Sequence, residues 1–221
     1  MIISLAVGIF KRISFLLAPP FCSYCKKFLN TRTILCSDCK MLIRPVITSK
    51  LALTRTYGIK IYALGAYQEP LQSLIRAKHA GDRIAAHELA QLCWELTNIQ
   101  HIPCDYWIPV PLHWTRYAWR GLNQADEMAQ IFFKYSNKPV AHILKRTRRT
   151  QFQAMLDPRA RFGNVRQAFS LRAKKLERYH GKHLVLVDDL MTTGATLQEA
   201  AHVLRLLKPA SITVVVAARV V

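Results

Sequence analysis

The chain alternates between short apolar runs and longer segments in which apolar residues recur at helical spacing. Runs that predict β-strands lie at residues 61–67, 106–111, 140–144, 183–187 and 212–218. Apolar residues three or four positions apart predict helices at residues 71–79, 84–96, 124–135 and 197–207. Because strands alternate with helices, we expect an α/β fold with a mostly parallel sheet and helices on both faces. Residues 49–57 show neither period and are interpreted as a linker.

The most informative chemistry follows the apolar run HLVLV, which leads directly into Asp188 and Asp189. Ligands of parallel α/β sheets bind beyond the carboxyl ends of the strands. The small residues after the acids predict a tight turn whose backbone N–H groups, with the dipole of the next helix, bind a phosphate. The carboxylates can accept hydrogen bonds from vicinal sugar hydroxyls or hold Mg²⁺ through water. The predicted site for a ribose 5-phosphate substituted at C1 consists of Asp188, Asp189, Met191, Thr192, Thr193, Gly194, Ala195 and Thr196.

Two other phosphate-binding patterns are missing from the sequence. It contains no G-x4-G-K-[ST] motif, and the turn holds only Gly194 where a dinucleotide fingerprint needs three glycines. A purine NTPase or a dinucleotide enzyme is therefore not predicted. The remaining alternative is a strand that ends in two acids beside a helix N-cap and binds no ligand.

Four cysteines form two C-x2-C pairs separated by ten residues: Cys22, Cys25, Cys36 and Cys39. Four thiolates at this spacing suit a closed, tetrahedral, structural Zn²⁺ site. Two disulfides or an iron–sulfur cluster are the alternatives. A module this small needs a metal to fold, so we predict an N-terminal helix and zinc module over residues 1–48, followed by the α/β domain over residues 49–221.

The net charge points to an anionic partner. The 221 residues include 32 Lys and Arg against 13 Asp and Glu, a formal charge of +19, and residues 142–182 alone carry +10. Such a field attracts polyanions, although a solvated basic face is the alternative. Within this basic stretch, Phe152, Phe162 and Phe169 either stack on unpaired bases or pack in the core.

The apolar N-terminal residues are interrupted by Lys11 and Arg12, too early for a membrane span of roughly 20 residues. They also lack the pattern of a secretory signal. We interpret them as a short amphipathic helix that docks on the zinc module or on the core. We expect a cytoplasmic protein without a transmembrane segment, and peripheral attachment at the inner membrane stays open.

The motif LVLVDDLMTTGAT at residues 184–196 resembles the PRPP-binding signature of type I phosphoribosyltransferases. Further blocks resemble the ComF family, the phosphoribosyltransferase-like proteins of bacterial DNA uptake that are also called GntX. They are the CSYC and CSDC knuckles and residues 66–82, 108–129 and 144–169. Trp114 and Leu122 depart from the family pattern but leave its polar positions intact. The resemblance implies a type I phosphoribosyltransferase-like fold with an N-terminal zinc element.

The resemblance also implies roles for several residues. Arg116 and Arg120 would contact the pyrophosphate of PRPP, while Arg146, Arg148, Thr150 and Gln153 would belong to a mobile catalytic lid. Mg²⁺ would accompany PRPP, and the candidates for a general base are His79, His113 and Glu127. The implied function is PRPP binding combined with the handling of single-stranded DNA in natural transformation, with other DNA-uptake proteins as further partners. Transfer of ribose 5-phosphate to an unknown acceptor is the alternative, and whether turnover occurs stays open.

Overall fold

A computed structural model describes residues 21–31, 33–52, 58–77, 83–112, 122–147, 167–172 and 175–220. Within these residues, the strands are β1 (Val46–Ala52), β2 (Gly58–Ala66), β3 (Tyr106–Pro109), β4 (Leu144–Arg146), β5 (Phe169–Leu171), β6 (His183–Met191) and β7 (Ser211–Arg219). The helices are α1 (Ser37–Met41), α2 (Leu71–Ala77), α3 (Arg83–Leu96), α4 (Gln124–Ser136) and α5 (Ala195–Arg205). Short 3-10 turns span Asn98–His101 and Leu176–Tyr179.

The main sheet has five strands in the order β1-β2-β7-β6-β3. Strands β2, β7, β6 and β3 are parallel, and only β1 is antiparallel to its neighbour. The predicted α/β fold with a mostly parallel sheet is therefore confirmed. Strands β4 and β5 form a separate antiparallel ribbon.

Apolar side chains cover both faces of the sheet, as the continuous apolar runs of β6 and β7 predict. On one face, Val185, Val187 and Val215 pack with residues of α2, α3 and α4. On the other face, Leu184, Leu186 and Val214 pack with α5 and with the β4–β5 ribbon. The sheet therefore lies between two helical layers, and its strand ends remain available for a site.

The linker predicted at residues 49–57 is wrong for its first part, because residues 49–52 belong to β1. The register of β1 against β2 shifts between Ile47 and Ser49, so one extra residue interrupts the period of two that identifies a strand. The strand predicted at residues 140–144 is also corrected. Val140 makes an isolated parallel bridge with Trp107, and the ribbon strand β4 begins only at Leu144.

None of the described helices combines the length and the apolar character that a bilayer crossing requires. Residues 1–20, for which a docking helix is predicted, lie outside the described residues.

Candidate functional site

Strand β6 carries the two predicted acids past the end of its neighbour β3. The pairing of β3 with β6 ends at Pro109 and Val187, and the N–H of Val110 donates to the carbonyl of Val187. Asp188 and Asp189 follow that point at intermediate exposure, whereas the four residues before them are fully buried. Oδ1 of Asp188 also accepts a hydrogen bond from the N–H of Asp189 at 2.9 Å. The acids therefore lie at the carboxyl edge of the sheet and not in the core.

The strand is longer than predicted, since β6 continues from the expected end at residue 187 to Met191. Pairing with β7 keeps one register from Asp188↔Val216 to Met191↔Arg219, so β6 remains part of the sheet on its β7 side after the pairing with β3 has ended. Met191 itself is buried and packs in the core, so its contribution to the site comes from its backbone.

The turn after β6 is shaped by a glycine. Gly194 is the N-cap of α5 and has φ +79°, in the left-handed region where a side chain is strained. Oγ1 of Thr193 lies 3.5 Å from the N–H of Ala195, and the first turn of α5 contains no acidic residue. The structure therefore brings residues 188–196 together as a strand, turn and helix N-terminus, an arrangement that suits an anion.

The region expected to contact pyrophosphate is described only at its two ends. Asn123 donates from Nδ2 to the carbonyl of Val110 at 3.1 Å, which holds the start of α4 beside the end of β3. Residues 113–121, with Arg116 and Arg120, lie outside the described residues. Both described ends adjoin the sheet edge that carries the two acids. The roles of the two arginines in binding pyrophosphate remain predictions.

The basic connection expected to form a lid begins and ends at the β4–β5 ribbon. The N–H of Thr147 donates to the carbonyl of Ala168 at 2.9 Å, and the N–H of Gln167 donates to Oε1 of Glu199 on α5 at 2.6 Å. This second bond places one end of the connection beside the helix that follows the turn. Arg148, Arg149, Thr150 and Gln153 lie outside the described residues.

Arg146 and Phe169 form a contact within the ribbon. The guanidinium carbon of Arg146 lies 5.3 Å from the ring centroid of Phe169, within the range of a cation–π interaction. Both side chains are buried, and Phe169 packs in the core beneath α5. Of the two interpretations of Phe169, core packing is therefore the one the structure supports, because a ring stacked on bases must be accessible. Phe152 and Phe162 lie outside the described residues.

Only one of the three candidate general bases is described. Glu127 lies in the first turn of α4 and pairs with Arg83 of α3, with 3.6 Å between Oε1 and Nε. This carboxylate therefore has a structural partner and bridges two helices. His79 and His113 lie outside the described residues.

The four predicted metal ligands converge on one point. The sulfur atoms of Cys22, Cys25, Cys36 and Cys39 all lie within 4.8 Å of one another. The distance between the sulfurs of Cys25 and Cys36 is 3.6 Å, close to the separation of about 3.8 Å that zinc–sulfur bonds of about 2.3 Å produce in a tetrahedron. All six cysteines of the chain are free thiols, so the disulfide alternative is not supported. The donor set fits a structural zinc ion.

The thiols of this cluster differ in their acidity. Burial raises the pKa of Cys22, but backbone N–H groups of Cys36, Cys25 and Tyr24 outweigh it and lower this pKa to about 6. Burial raises the pKa of Cys39, and hydrogen bonds with the other three cysteines add to the effect. A cation at the centre of the cluster would favour ionisation of all four thiols.

Sequence reasoning missed the buried carboxylate that holds the zinc module against the α/β domain. Glu88 of α3 is only 4% exposed and accepts hydrogen bonds from the N–H groups of Ile34 at 2.7 Å and Leu35 at 3.2 Å. Its Oε1 also lies 2.9 Å from Nζ of Lys40. The available signal was a charged residue inside the apolar spacing of α3, which does not identify a partner 53 residues away.

Comparison with known proteins gives a consistent result for most of the chain. The model of the phosphoribosyl transferase domain family matches residues 118–220, which include the turn after β6. Competence protein F of Haemophilus influenzae is 32% identical over 84% of this chain and 79% of its own length. The DNA utilization protein YhgH of Escherichia coli is 31% identical over 83% of each chain.

A solved structure, the glutamine PRPP amidotransferase of B. subtilis in complex with ADP and GMP, is also similar. It shares 19% identity at a TM-score of 0.38, and the match covers 62% of this chain and 26% of that one. At these values the similarity adds nothing about ligands or reaction.

Proposed function

The chain belongs to the ComF family of competence proteins with a phosphoribosyltransferase domain, and from this premise we propose that it binds PRPP and handles single-stranded DNA during transformation. The PRPP site is the carboxyl edge of the sheet at residues 188–196. One observation carries this assignment: Asp188 and Asp189 extend past the end of β3, directly before a left-handed Gly194 at the N-terminus of α5.

This geometry suits each part of the ligand. The 5-phosphate would accept hydrogen bonds from backbone N–H groups at the start of α5, where the helix dipole favours negative charge. The carboxylates of Asp188 and Asp189 would accept hydrogen bonds from the ribose hydroxyls. Mg²⁺ bound beside these carboxylates would offset the charge of the diphosphate. The first turn of α5 contains no acidic residue, which limits repulsion of the phosphate.

Two observations support the DNA-handling part of the proposal. The formal charge of +19 produces a field that attracts a polyanion. In addition, two relatives of more than 30% identity are named for competence and for DNA utilization. Zinc bound by the four cysteines would act structurally, because all four protein ligands are present and three of them are buried.

Catalytic transfer from PRPP to an acceptor is the second candidate function. It is favoured by the hydrogen bond from the N–H of Gln167, at the end of the basic connection, to Oε1 of Glu199 on α5. A segment anchored there could cover a bound sugar phosphate and exclude water from it.

Calorimetry with PRPP and Mg²⁺ tests the PRPP site. The double variant Asp188→Asn with Asp189→Asn should weaken binding at least about 100-fold, because each hydrogen bond to a charged group contributes about 1.5–3 kcal/mol. Asp38→Asn is the matched control, since this surface carboxylate pairs with Lys27 on the zinc module. Undiminished binding in the double variant would reject the site.

Release of pyrophosphate from PRPP, measured against a panel of amines and nucleobases, distinguishes the two candidate functions. Sustained turnover would establish an enzyme, whereas binding without turnover supports a PRPP-dependent DNA-handling protein. Binding to an oligonucleotide at several salt concentrations tests the DNA part. Arg148→Ala with Arg149→Ala should weaken it if the basic connection contacts phosphates.

A further inference from the structure

The exposed aromatic side chains of the described residues are concentrated on the zinc module. They are Phe21, Tyr24, Phe28, Phe133 and Tyr135, and the first three lie within one eight-residue hairpin. Phe21 and Phe28 are 54% and 51% exposed, and Tyr24 is 41% exposed. Exposed apolar patches on soluble proteins often mark surfaces that bind a partner.

The hairpin holds its rings in a fixed arrangement. Phe21 and Phe28 form an antiparallel bridge, and the N–H of Cys22 donates to the carbonyl of Lys27 at 2.9 Å. The two rings meet edge to face, with 6.0 Å between centroids and 78° between planes. In this geometry, with about half of each side chain exposed, the pair offers flat apolar surface in two directions. Little conformational entropy is lost when a flat ligand binds to rings that are already ordered.

Two lysines lie on the same hairpin as these rings. Lys26 lies in the turn with φ +63° and donates from Nζ to the carbonyl of Ser23. Lys27 follows it with its side chain 66% exposed, and its Nζ pairs with Asp38 at 3.2 Å. The sequence from residue 21 to residue 46 contains five Lys and Arg and only one acid, Asp38. A zinc centre with four thiolates would subtract two charges and leave the module at about +2.

We propose that the surface formed by Phe21, Tyr24 and Phe28, with Lys26 and Lys27, is the part of this protein that stacks on the bases of single-stranded DNA. Flat rings among cations are the combination that unpaired bases and their phosphates require. The inference rests on the proposed function, because it locates the DNA partner already proposed. It also transfers the stacking role from Phe169, which is buried, to rings that are accessible.

Fluorescence anisotropy with a labelled oligothymidylate tests this assignment on the full chain. The variant Phe21→Leu with Phe28→Leu keeps an apolar surface but removes both flat rings, and we expect affinity to fall about 10- to 100-fold. Phe133→Leu is the matched control, since this ring of α4 is 40% exposed and lies outside the module, and it should leave affinity unchanged. Measured zinc content must remain at the wild-type value in each variant.

A second measurement applies even if the double ring variant loses zinc. Lys26→Ala with Lys27→Ala should reduce the slope of log affinity against log salt by about 0.7 for each phosphate that the protein no longer neutralises. Photocrosslinking of an oligonucleotide that carries 5-bromodeoxyuridine should label the peptide containing residues 21–28.

The outcomes separate this inference from the function on which it rests. If the wild-type chain does not bind the oligonucleotide, both proposals fail. If it binds with the usual salt dependence while the ring variant keeps full affinity and the crosslink maps elsewhere, only the location is wrong. Equal losses in Phe133→Leu would also overturn the assignment.

Discussion

The α/β domain and the zinc module are stabilised by different means. Strands β6 and β7 are buried along most of their length between two helical layers, so apolar burial on both faces stabilises the sheet. The module has only a few buried apolar residues, which join the core of the α2–α3 layer. It depends in addition on four converging thiols and on Glu88. A small apolar contact, the thiol cluster and one buried carboxylate therefore hold a module that exposes its aromatic side chains.

Removal of the metal should produce the largest effect, because it should destabilise the zinc module and leave the α/β domain folded. Structural zinc contributes about 10–16 kcal/mol of apparent binding free energy in small zinc modules. After chelation, the amides of Ile34, Leu35 and Cys36 should exchange at least about 1,000-fold faster, as measured by hydrogen–deuterium exchange. The amides of residues 184–187 should keep their protection, since pairing with β3 and β7 and apolar burial hold them without the metal.

Cys104→Ala provides the control, because this cysteine lies outside the cluster and its loss should leave metal content unchanged. Parallel loss of protection in β6 would show that the zinc module and the sheet unfold as one unit. That result would contradict the view that they are stabilised by different means.

Substitution of the buried carboxylate should have the next largest effect. Glu88→Gln replaces an acceptor of two N–H groups by an amide that can accept at only one oxygen, and it leaves Lys40 without its ion pair. We expect the free energy of unfolding to fall by about 3 kcal/mol in urea denaturation. Glu95→Gln on the same helix should change the free energy of unfolding by less than about 0.5 kcal/mol. Glu95 is exposed, and its carboxylate accepts a hydrogen bond from Gln91 on the helix surface. Equal effects would show that Glu88 does not attach the module.

Regular periodicity allowed much of the sheet to be predicted from sequence. The runs at residues 183–187 and 212–218 correspond to β6 and β7, and helix α5 begins two residues before its predicted start. Strand β1 was missed because its extra residue breaks the alternation. The extension of β6 to Met191 was missed because acids are depleted in strands, although the backbone pairing with β7 continues there.

Tertiary contacts between distant residues could not be predicted in the same way. The aromatic ring of Phe169 gave no sequence signal to distinguish core packing from base stacking, and its burial comes from core residues that are distant in sequence. In the sequence, Glu88 resembles any polar residue of an amphipathic helix. Only the fold brings the N–H groups of Ile34 and Leu35 to its carboxylate. The acids and Gly194 were predictable because a single local segment contains them all. The metal ligands were predictable for a similar reason, since each pair lies within one knuckle.

Two glycines with positive φ allow backbone strain to be separated from ligand contact. Gly194→Ala and Gly181→Ala should each lower the free energy of unfolding by about 1–2 kcal/mol, because φ is +79° at one and +66° at the other. Nothing lies within 4 Å of a side chain built at Gly181, so that variant reports strain alone. Only Gly194→Ala should also weaken PRPP binding, by about tenfold or more, in calorimetry. A comparable loss of affinity in Gly181→Ala would mean that strain, and not the turn, controls binding.

The smallest expected effect concerns an exposed ion pair of the α/β domain, which contrasts with the buried Glu88. Nε2 of His142 lies 2.6 Å from Oδ1 of Asp126, and this hydrogen bond raises the pKa of the histidine despite partial burial and the nearby Arg172. A histidine pKa that is higher in the folded state stabilises the protein below the unfolded pKa of about 6.5, and this contribution is lost as pH rises through the folded pKa. The pair is half exposed, so its loss in His142→Gln should lower the free energy of unfolding by no more than about 0.5 kcal/mol at pH 6 and by almost nothing at pH 9. Urea denaturation at both pH values measures the difference, with His180→Gln at an exposed turn as the control. A loss of several kcal/mol at pH 6 would contradict the view that apolar burial, and not surface charge, stabilises this half of the molecule.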